Sequence, residues 1–134
     1  MADQFRLEIV SPERLLADRS VASVVVPGTD GDFGVLPGHA PMLSTLRPGI
    51  VEISEHDGAV PDRLFVKGGL AQVDDTSLTL LAEETIDLNN VDAAILEKQM
   101  ADTREDIEDA KDDVERAALE KELGWMTALS DVIF

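Results

Sequence analysis

Three glycines spaced three residues apart, Gly28, Gly31 and Gly34, form the pattern in this sequence that comes nearest to a phosphate-binding loop. Such a loop needs a preceding strand and a helix that starts directly after it, so that free backbone N–H groups point at the anion. The valine-rich segment 21–26 predicts the strand. The prolines that follow the glycines exclude the helix. We therefore expect tight turns here and no phosphate site.

The carboxylates and histidines also give little support for catalysis or metal binding. Asp30 and Asp32 lack the twelve-residue ligand spacing and terminal glutamate of a calcium loop. His39 and His56 fall in separate turns, without the spacing of a catalytic triad or a metal site. The acidic run 105–109 is typical of a solvated helix face. We expect a non-catalytic protein that holds no metal ion and no cofactor.

Length and composition bound the class of protein. The sequence has 134 residues, enough for one ordinary domain or two small ones, and no cysteine. No apolar run approaches the roughly 20 residues of a membrane span, and the N-terminus lacks the features of a signal peptide. The net charge of −17 argues against nucleic acid and anionic lipid as partners. These features predict a soluble intracellular protein.

The first part of the sequence has the periodicity of strands. Alternating apolar residues at Phe5, Leu7 and Ile9 predict a half-buried strand. The continuous apolar run 21–26 predicts a strand that is buried on both faces. Further short apolar runs are separated by turn signals, at 50–53, 64–66, 70–73 and 78–81. This spacing favours an all-β sandwich or barrel.

The pattern becomes helical after residue 90. Residues 91–123 contain no Gly, Pro or Asn, and Asn89 or Asn90 is the predicted N-cap. One apolar stripe comprises Leu96, Met100, Ile107, Ala110 and Val114. A second stripe, out of phase with it, comprises Leu119, Leu123, Met126, Leu129 and Ile133. The phase change favours two antiparallel helices with a break near 111–113, although a single bent helix remains an alternative.

Three segments together carry a family resemblance. The string GDFGVLPGHAPMLSTLRPG at 31–49, then FVKGGLAQV at 65–73 and LTLLAE at 78–83, closely resemble the epsilon subunit of bacterial F-type ATP synthases. The resemblance implies a ten-stranded β-sandwich over residues 1–88 and an α-helical hairpin over residues 89–134. It also implies a place in the rotor, where the sandwich packs on the gamma subunit, rests on the c-ring and helps to couple proton flow to ATP synthesis. The protein would then be peripheral, on the cytoplasmic face of the bacterial inner membrane.

The resemblance also implies which residues meet partners. The turn around Gly31 and Asp32 is expected to face the c-ring, and His39 with its neighbours is expected near the junction of gamma and the c-ring. The full set of expected contact residues is Gly31, Asp32, Phe33, His39, Ala40, Pro41 and Met42. The helical tail is expected to regulate ATP hydrolysis, with the beta subunit of the catalytic head as a further partner.

The tail departs from the family at one position that matters for nucleotide binding. Some members bind ATP through an Ile/Leu-Asp-x-x-Arg-Ala motif, and the matching residues here are VDAAIL at 91–96. Ile95 replaces the arginine and cannot pair with a phosphate, so we predict no ATP binding. The alternative to the whole interpretation is an acidic β-sandwich adaptor with a helical arm, unrelated to energy conversion.

Overall fold

The computed structural model describes residues 3–133, which divide between Asp87 and Leu88 into two compact units. The first unit contains ten strands: β1 (Phe5–Val10), β2 (Leu15–Val21), β3 (Ser23–Gly28), β4 (Gly31–Val35), β5 (Met42–Leu46), β6 (Gly49–Ser54), β7 (Asp62–Val66), β8 (Gly69–Val73), β9 (Ser77–Ala82) and β10 (Thr85–Asp87). The second unit contains a short 3-10 turn (Leu88–Asn90) and two helices, α1 (Ala93–Glu108) and α2 (Asp113–Ile133). The predicted fold class, a ten-stranded β-sandwich followed by two helices, is confirmed.

The strands form two layers that join at one point. Their order is β10-β7-β6-β3-β5-β8-β9-β1-β2, and β4 pairs with β3 off this path. Strands β3 and β5 meet only at the pair Gly28 and Leu46. This junction separates a layer of β4, β3, β6, β7 and β10 from a layer of β5, β8, β9, β1 and β2. One apolar core is built from residues of nine strands, of which Leu7, Val24, Val66 and Leu80 are fully buried.

The sequence pattern was right about β1 and wrong about the segment 21–26. Strand β1 buries its alternate residues, as predicted. The segment is interrupted at Ala22, between β2 and β3, and Val25 on β3 is 36% exposed. Only one face of β3 meets the core, because Val24 and Val26 point inward while Val25 lies on the outer face beside Gly34 and Glu52.

The residue pattern did not reveal two strands inside the stretch 28–49. Its glycines and prolines led us to expect tight turns, but β4 and β5 lie within it. The register of the β3–β4 hairpin explains why: it pairs Val25 with Gly34 and Gly28 with Gly31, so glycines alternate with Phe33 and Val35 along β4. Backbone hydrogen bonds form these strands, although the strand propensity of their side chains alone does not predict them.

The start of the first helix differs from the prediction. Asp92, and not Asn89 or Asn90, is the N-cap of α1. Its carboxylate accepts hydrogen bonds from the backbone N–H groups of Ala94 at 2.9 Å and Ile95 at 3.2 Å. The two asparagines lie in the 3-10 turn that precedes the cap.

The tail forms two helices, and the alternative of a single bent helix is excluded. The helical pattern stops at Glu108 and resumes at Asp113, close to the predicted break. The residues that α1 and α2 bury are Leu96, Met100, Thr103, Met126 and Leu129. Val114, which the first stripe included, is 82% exposed because it lies just after the break. Neither described helix is long and apolar enough to cross a membrane.

Candidate functional site

The predicted contact residues lie at two opposite ends of the sandwich. Gly31, Asp32 and Phe33 open β4 beside the turn Thr29–Asp30, whereas Val35 at its far end pairs with Val24. The rise of a strand is about 3.3 Å per residue, so Gly31 and Val35 are separated by about 13 Å. We call the end with the turn at 29–30 the turn end, and the end with the segment 36–41 the loop end.

Arg47 is the central residue of the turn end. Its guanidinium bonds the carbonyl oxygen of Gly28 and the carboxylate of Asp32, and its backbone N–H donates to the carbonyl of Pro27 at 3.0 Å. Asp32 is exposed, at 60% of its side chain, and its carboxylate forms an ion pair with Arg47. The contact of Asp32 with a partner stays a prediction.

Two threonines fasten the same turn to the neighbouring strand. The backbone N–H of Thr29 donates to the carbonyl of Thr45 at 3.0 Å, and the two hydroxyl oxygens are 2.7 Å apart. The ring of Phe33 covers Gly28, where an added Cβ would lie 3.0 Å from the ring and 2.7 Å from the carbonyl oxygen of Gly31. The turn end is therefore a closely fitted surface with a fixed backbone.

The loop end carries the other four predicted contact residues. The loop is held by backbone bonds from Gly38 to the carbonyl of Asp75 at 2.9 Å and from His39 to the carbonyl of Leu36 at 3.2 Å. The Nδ1 of His39 donates to the carbonyl of its neighbour Ala40 at 2.7 Å. This histidine is a hydrogen-bonding element of the loop, while Ala40, Pro41 and Met42 are exposed.

An exposed apolar row crosses the outer face of four strands, and the sequence analysis did not find it. We call it the outer row: Leu70, Leu81, Val10 and Leu15. Each member lies directly opposite the next; Leu81 and Leu15 are 43% and 54% exposed, whereas Val10 and Leu70 are half-buried. The alternation of β1 already indicates that Val10 points outward, but the cross-strand register is needed to align it with the other three.

A charged group borders the outer row on β1 and β2. Arg6 donates two hydrogen bonds to Asp18, at 2.9 and 2.7 Å, and lies 3.4 Å from Glu8. These hydrogen bonds lower the pKa of the Asp18 carboxyl below its usual value. An apolar strip with a charged rim is the common anatomy of a protein–protein interface.

Residues 91–96, which match the ATP-binding motif of some family members, lie at the start of α1. The carboxylate of Asp92 is occupied by the helix N-terminus, and Ile95 is 58% exposed. The side chain at position 95 therefore offers apolar surface where the family motif has a cation. Among the described residues, no group of three or more His, Cys, Asp or Glu side chains could hold a metal ion.

Comparison with known proteins identifies the same family for both units. The profile of the "ATP synthase, Delta/Epsilon chain, beta-sandwich domain" family matches residues 4–87, and the profile of the C-terminal domain of the ATP synthase epsilon chain matches residues 92–134. A protein of Rhodospirillum centenum named "ATP synthase epsilon chain" is 56% identical over 99% of this chain and 94% of its own. One of the same name from Parvibaculum lavamentivorans is 49% identical over 90% of this chain and 92% of its own.

Solved structures share the fold at low identity. A subunit in the mitochondrial ATP synthase of Euglena gracilis, solved as OSCP/F1/c-ring, matches with a TM-score of 0.86 and 24% identity, over all of this chain and 84% of its own. A subunit in the central stalk and c-ring of the Tetrahymena thermophila enzyme matches with a TM-score of 0.74 and 16% identity, over 97% of this chain and 96% of its own.

The fold defines a class of protein in which a ten-stranded sandwich is followed by two helices. The protein belongs to the ATP synthase epsilon-chain family, as its two family matches and its identity to the relatives show. The family resemblance is thereby confirmed. The alternative of an adaptor unrelated to energy conversion is excluded.

Proposed function

We propose that this protein is a non-catalytic rotor subunit that couples proton flow to ATP synthesis through contacts with gamma and the c-ring. The observation that carries the proposal is the match to both epsilon-chain domains, in order and over nearly the whole sequence. The subunit acts by transmitting torque, so it needs a stiff body with fitted surfaces, and the single core and fastened turn end supply both.

The outer row is the surface that we assign to gamma. Contiguous apolar residues that are wholly or partly exposed, on a protein with a net charge of −17, are costly to leave in water and favour a protein-binding site. Each leucine in such a row contributes up to about 1.5–3 kcal/mol when it becomes fully buried. We assign the loop-end residues His39, Ala40, Pro41 and Met42 to the border of this contact, because β5 also belongs to the layer that carries the row.

The turn end is the surface that we assign to the c-ring. Gly31, Asp32 and Phe33 lie there, on a hairpin that is anchored on both sides. The location that follows is peripheral, on the cytoplasmic face of the bacterial inner membrane, with attachment only through gamma and the c-ring. The tail, residues 89–134, has the regulatory role, with the beta subunit as its partner in the catalytic head.

The proposed gamma contact is tested with the sandwich alone, without the helical tail. The core cluster of the sandwich lies entirely within residues 5–82, so a protein ending at residue 88 retains its own core. We expect this shortened protein to bind purified gamma in equal stoichiometry, as the full-length protein does, in size-exclusion chromatography. Circular dichroism controls for its folding. A folded sandwich that fails to bind gamma would contradict the proposal.

We further predict that the tail is a weak inhibitor of ATP hydrolysis and insensitive to ATP. Residues 114–134 carry four acidic and two basic side chains. The family resemblance implies that an extended tail reaches acidic segments of the catalytic head, which would repel this net-negative segment. Calorimetry of the full-length protein should show no ATP binding at millimolar concentration, because Ile95 offers no cation and Asp92 is occupied by its helix cap.

The matching kinetic measurement compares ATP hydrolysis by the enzyme with the full-length protein and with the protein ending at residue 88. We expect nearly equal rates, because little inhibition is lost with the tail. A several-fold rise on deletion, or ATP binding by the full-length protein at millimolar concentration or below, would contradict this prediction. The Ile95→Arg variant is the matched control for the nucleotide site, since position 95 is exposed and tolerates a long side chain.

A further inference from the structure

We propose that Asp57 is a site of spontaneous covalent modification, at which the aspartate isomerises to isoaspartate through a cyclic imide formed with the backbone nitrogen of Gly58. Aspartate followed by glycine occurs twice in this sequence, at 30–31 and at 57–58. The reaction falls on the second pair, because the first lies in a paired hairpin and the second in an exposed turn between strands. This modification does not depend on the partners assigned above.

The reaction rearranges the main chain and needs only water. The backbone nitrogen of Gly58 attacks Cγ of the protonated Asp57 carboxyl group. An N–Cγ bond forms, a C–O bond breaks, and the amide proton and the hydroxyl group leave as one water molecule. Water then opens the five-membered ring. Addition at Cγ restores aspartate, whereas addition at the backbone carbonyl carbon leaves a main chain that runs through Cγ and a free α-carboxylate. Glycine favours ring closure because it has no Cβ to crowd the attacking nitrogen.

Asp57 and Gly58 form the tip of the loop between β6 and β7. The backbone N–H of Ala59 donates to the carbonyl of His56 at 3.1 Å, and Gly58 has φ +81°, as in a type II turn. Asp57 and Gly58 are both exposed. Within the described part of the chain, their main chain has one hydrogen bond, between the Asp57 carbonyl and Nδ1 of His56 at 3.2 Å, and the Asp57 carboxylate has none. Few contacts therefore oppose the rotation that brings the Gly58 nitrogen to Cγ.

The ends of this loop are held, although its tip is not. The guanidinium of Arg19 on β2 bonds Glu55 at 2.7 Å and Asp62 at 3.0 Å, on the two sides of the turn. The side-chain amide of Gln4 also donates to the carbonyl of Glu55 at 2.9 Å. Ring closure at the tip needs only local motion, so the folded sandwich can react. The extra main-chain methylene group of isoaspartate stays within the loop.

Asp30 shares the dipeptide but not its freedom of rotation. Gly28 and Gly31 are a cross-strand pair that closes the turn carrying Asp30. The guanidinium of Arg47 bonds the Gly28 carbonyl and the Asp32 carboxylate, on the two sides of Asp30. Space does not distinguish the two sites, because no described atom lies within 4 Å of a Cβ placed on the glycine of either pair. The sites differ in the anchoring of the backbone, and rotation at Asp30 would open the hairpin.

The experiment ages the full-length protein at physiological temperature and pH and measures isoaspartate in each Asp-Gly peptide after digestion. A carboxyl methyltransferase specific for isoaspartate, with a labelled methyl donor, detects the product, and mass spectrometry assigns its position. The variants are Asp57→Glu, its matched control Asp30→Glu, and Arg47→Met. Each glutamate keeps the negative charge but would have to close a less favourable six-membered ring. A parallel sample in concentrated urea gives the rates of both peptides without the fold, and circular dichroism checks that the other samples stay folded.

In the folded protein we expect isoaspartate to form at least about tenfold faster at position 57 than at position 30, because reaction at position 30 requires opening of the hairpin. In urea the two rates should be similar. Asp57→Glu should remove most of the methyl acceptance, and Asp30→Glu should leave it unchanged. Arg47→Met should speed the reaction at position 30 alone, because it releases the anchored turn.

Three results would overturn the inference. One is a reaction at position 30 that is as fast as at position 57, or faster, in the folded protein. Another is isoaspartate at position 57 that forms in urea but not in the folded protein, which would show that the turn prevents ring closure. The third is unchanged methyl acceptance of the aged Asp57→Glu variant, which would place the modification elsewhere.

Discussion

Replacing Gly69 with alanine is expected to prevent stable folding of the sandwich. The backbone of Gly69 has φ +141°, a conformation that residues with a Cβ rarely adopt. A Cβ there would lie 1.9 Å from the carbonyl oxygen of Leu81 and 3.1 Å from the Cα of Ala82. Both atoms belong to β9, which pairs with every residue of β8, so neither can move without breaking the ladder.

The expected loss of folding stability follows from this geometry. Backbone strain and overpacking at Gly69 together cost about 4 kcal/mol or more, against a total stability of roughly 5–15 kcal/mol for a domain. Urea denaturation followed by far-ultraviolet circular dichroism measures the loss. Gly34→Ala is the matched control, because nothing lies within 4 Å of a Cβ at Gly34. Equal denaturation midpoints for the two variants would contradict the prediction.

The second large effect is expected at the gamma contact, where Leu81→Asp should weaken binding at least about 100-fold. Leu81 lies between Leu70 and Val10 in the outer row and is 43% exposed, so a carboxylate there is tolerated in the free protein. In the complex the same carboxylate would be buried without a partner, which costs several kcal/mol.

The matched control for this variant is Val25→Asp. Val25 is also an exposed apolar residue on an outer strand face, at 36%, but it belongs to the other layer of the sandwich. Titration calorimetry with purified gamma should show weak or no binding for Leu81→Asp and unchanged affinity for Val25→Asp. Loss of binding with Val25→Asp, or normal binding with Leu81→Asp, would show that gamma does not use the outer row.

The elements that follow from local pattern were predictable from the sequence. Alternation along β1 and the helix formers after residue 90 are signals within one segment, and each led to the correct element. The ten-strand count came from the family resemblance, because glycine-rich β4 has no strand propensity of its own. Its hydrogen bonds to β3 make it a strand, and such bonds depend on register that the residue types do not encode.

The candidate site was harder to predict because it depends on residues far apart in sequence. Asp32 and Arg47 are separated by 15 residues, and no spacing rule connects them. The outer row combines β8, β9, β1 and β2, which are brought together only by the sheet. The division of the predicted contact residues between two ends likewise follows from the direction of β4, which lies within a stretch where we expected only tight turns.

The most direct test of the central claim is ATP synthesis driven by a proton gradient in proteoliposomes. The vesicles hold ATP synthase depleted of this subunit, and the purified subunit is added back before the gradient is imposed. The account predicts little synthesis without the subunit, and restoration both by the full-length protein and by the protein ending at residue 88. Synthesis that is equally fast with and without the subunit, or that neither form restores, would contradict a coupling role for the sandwich.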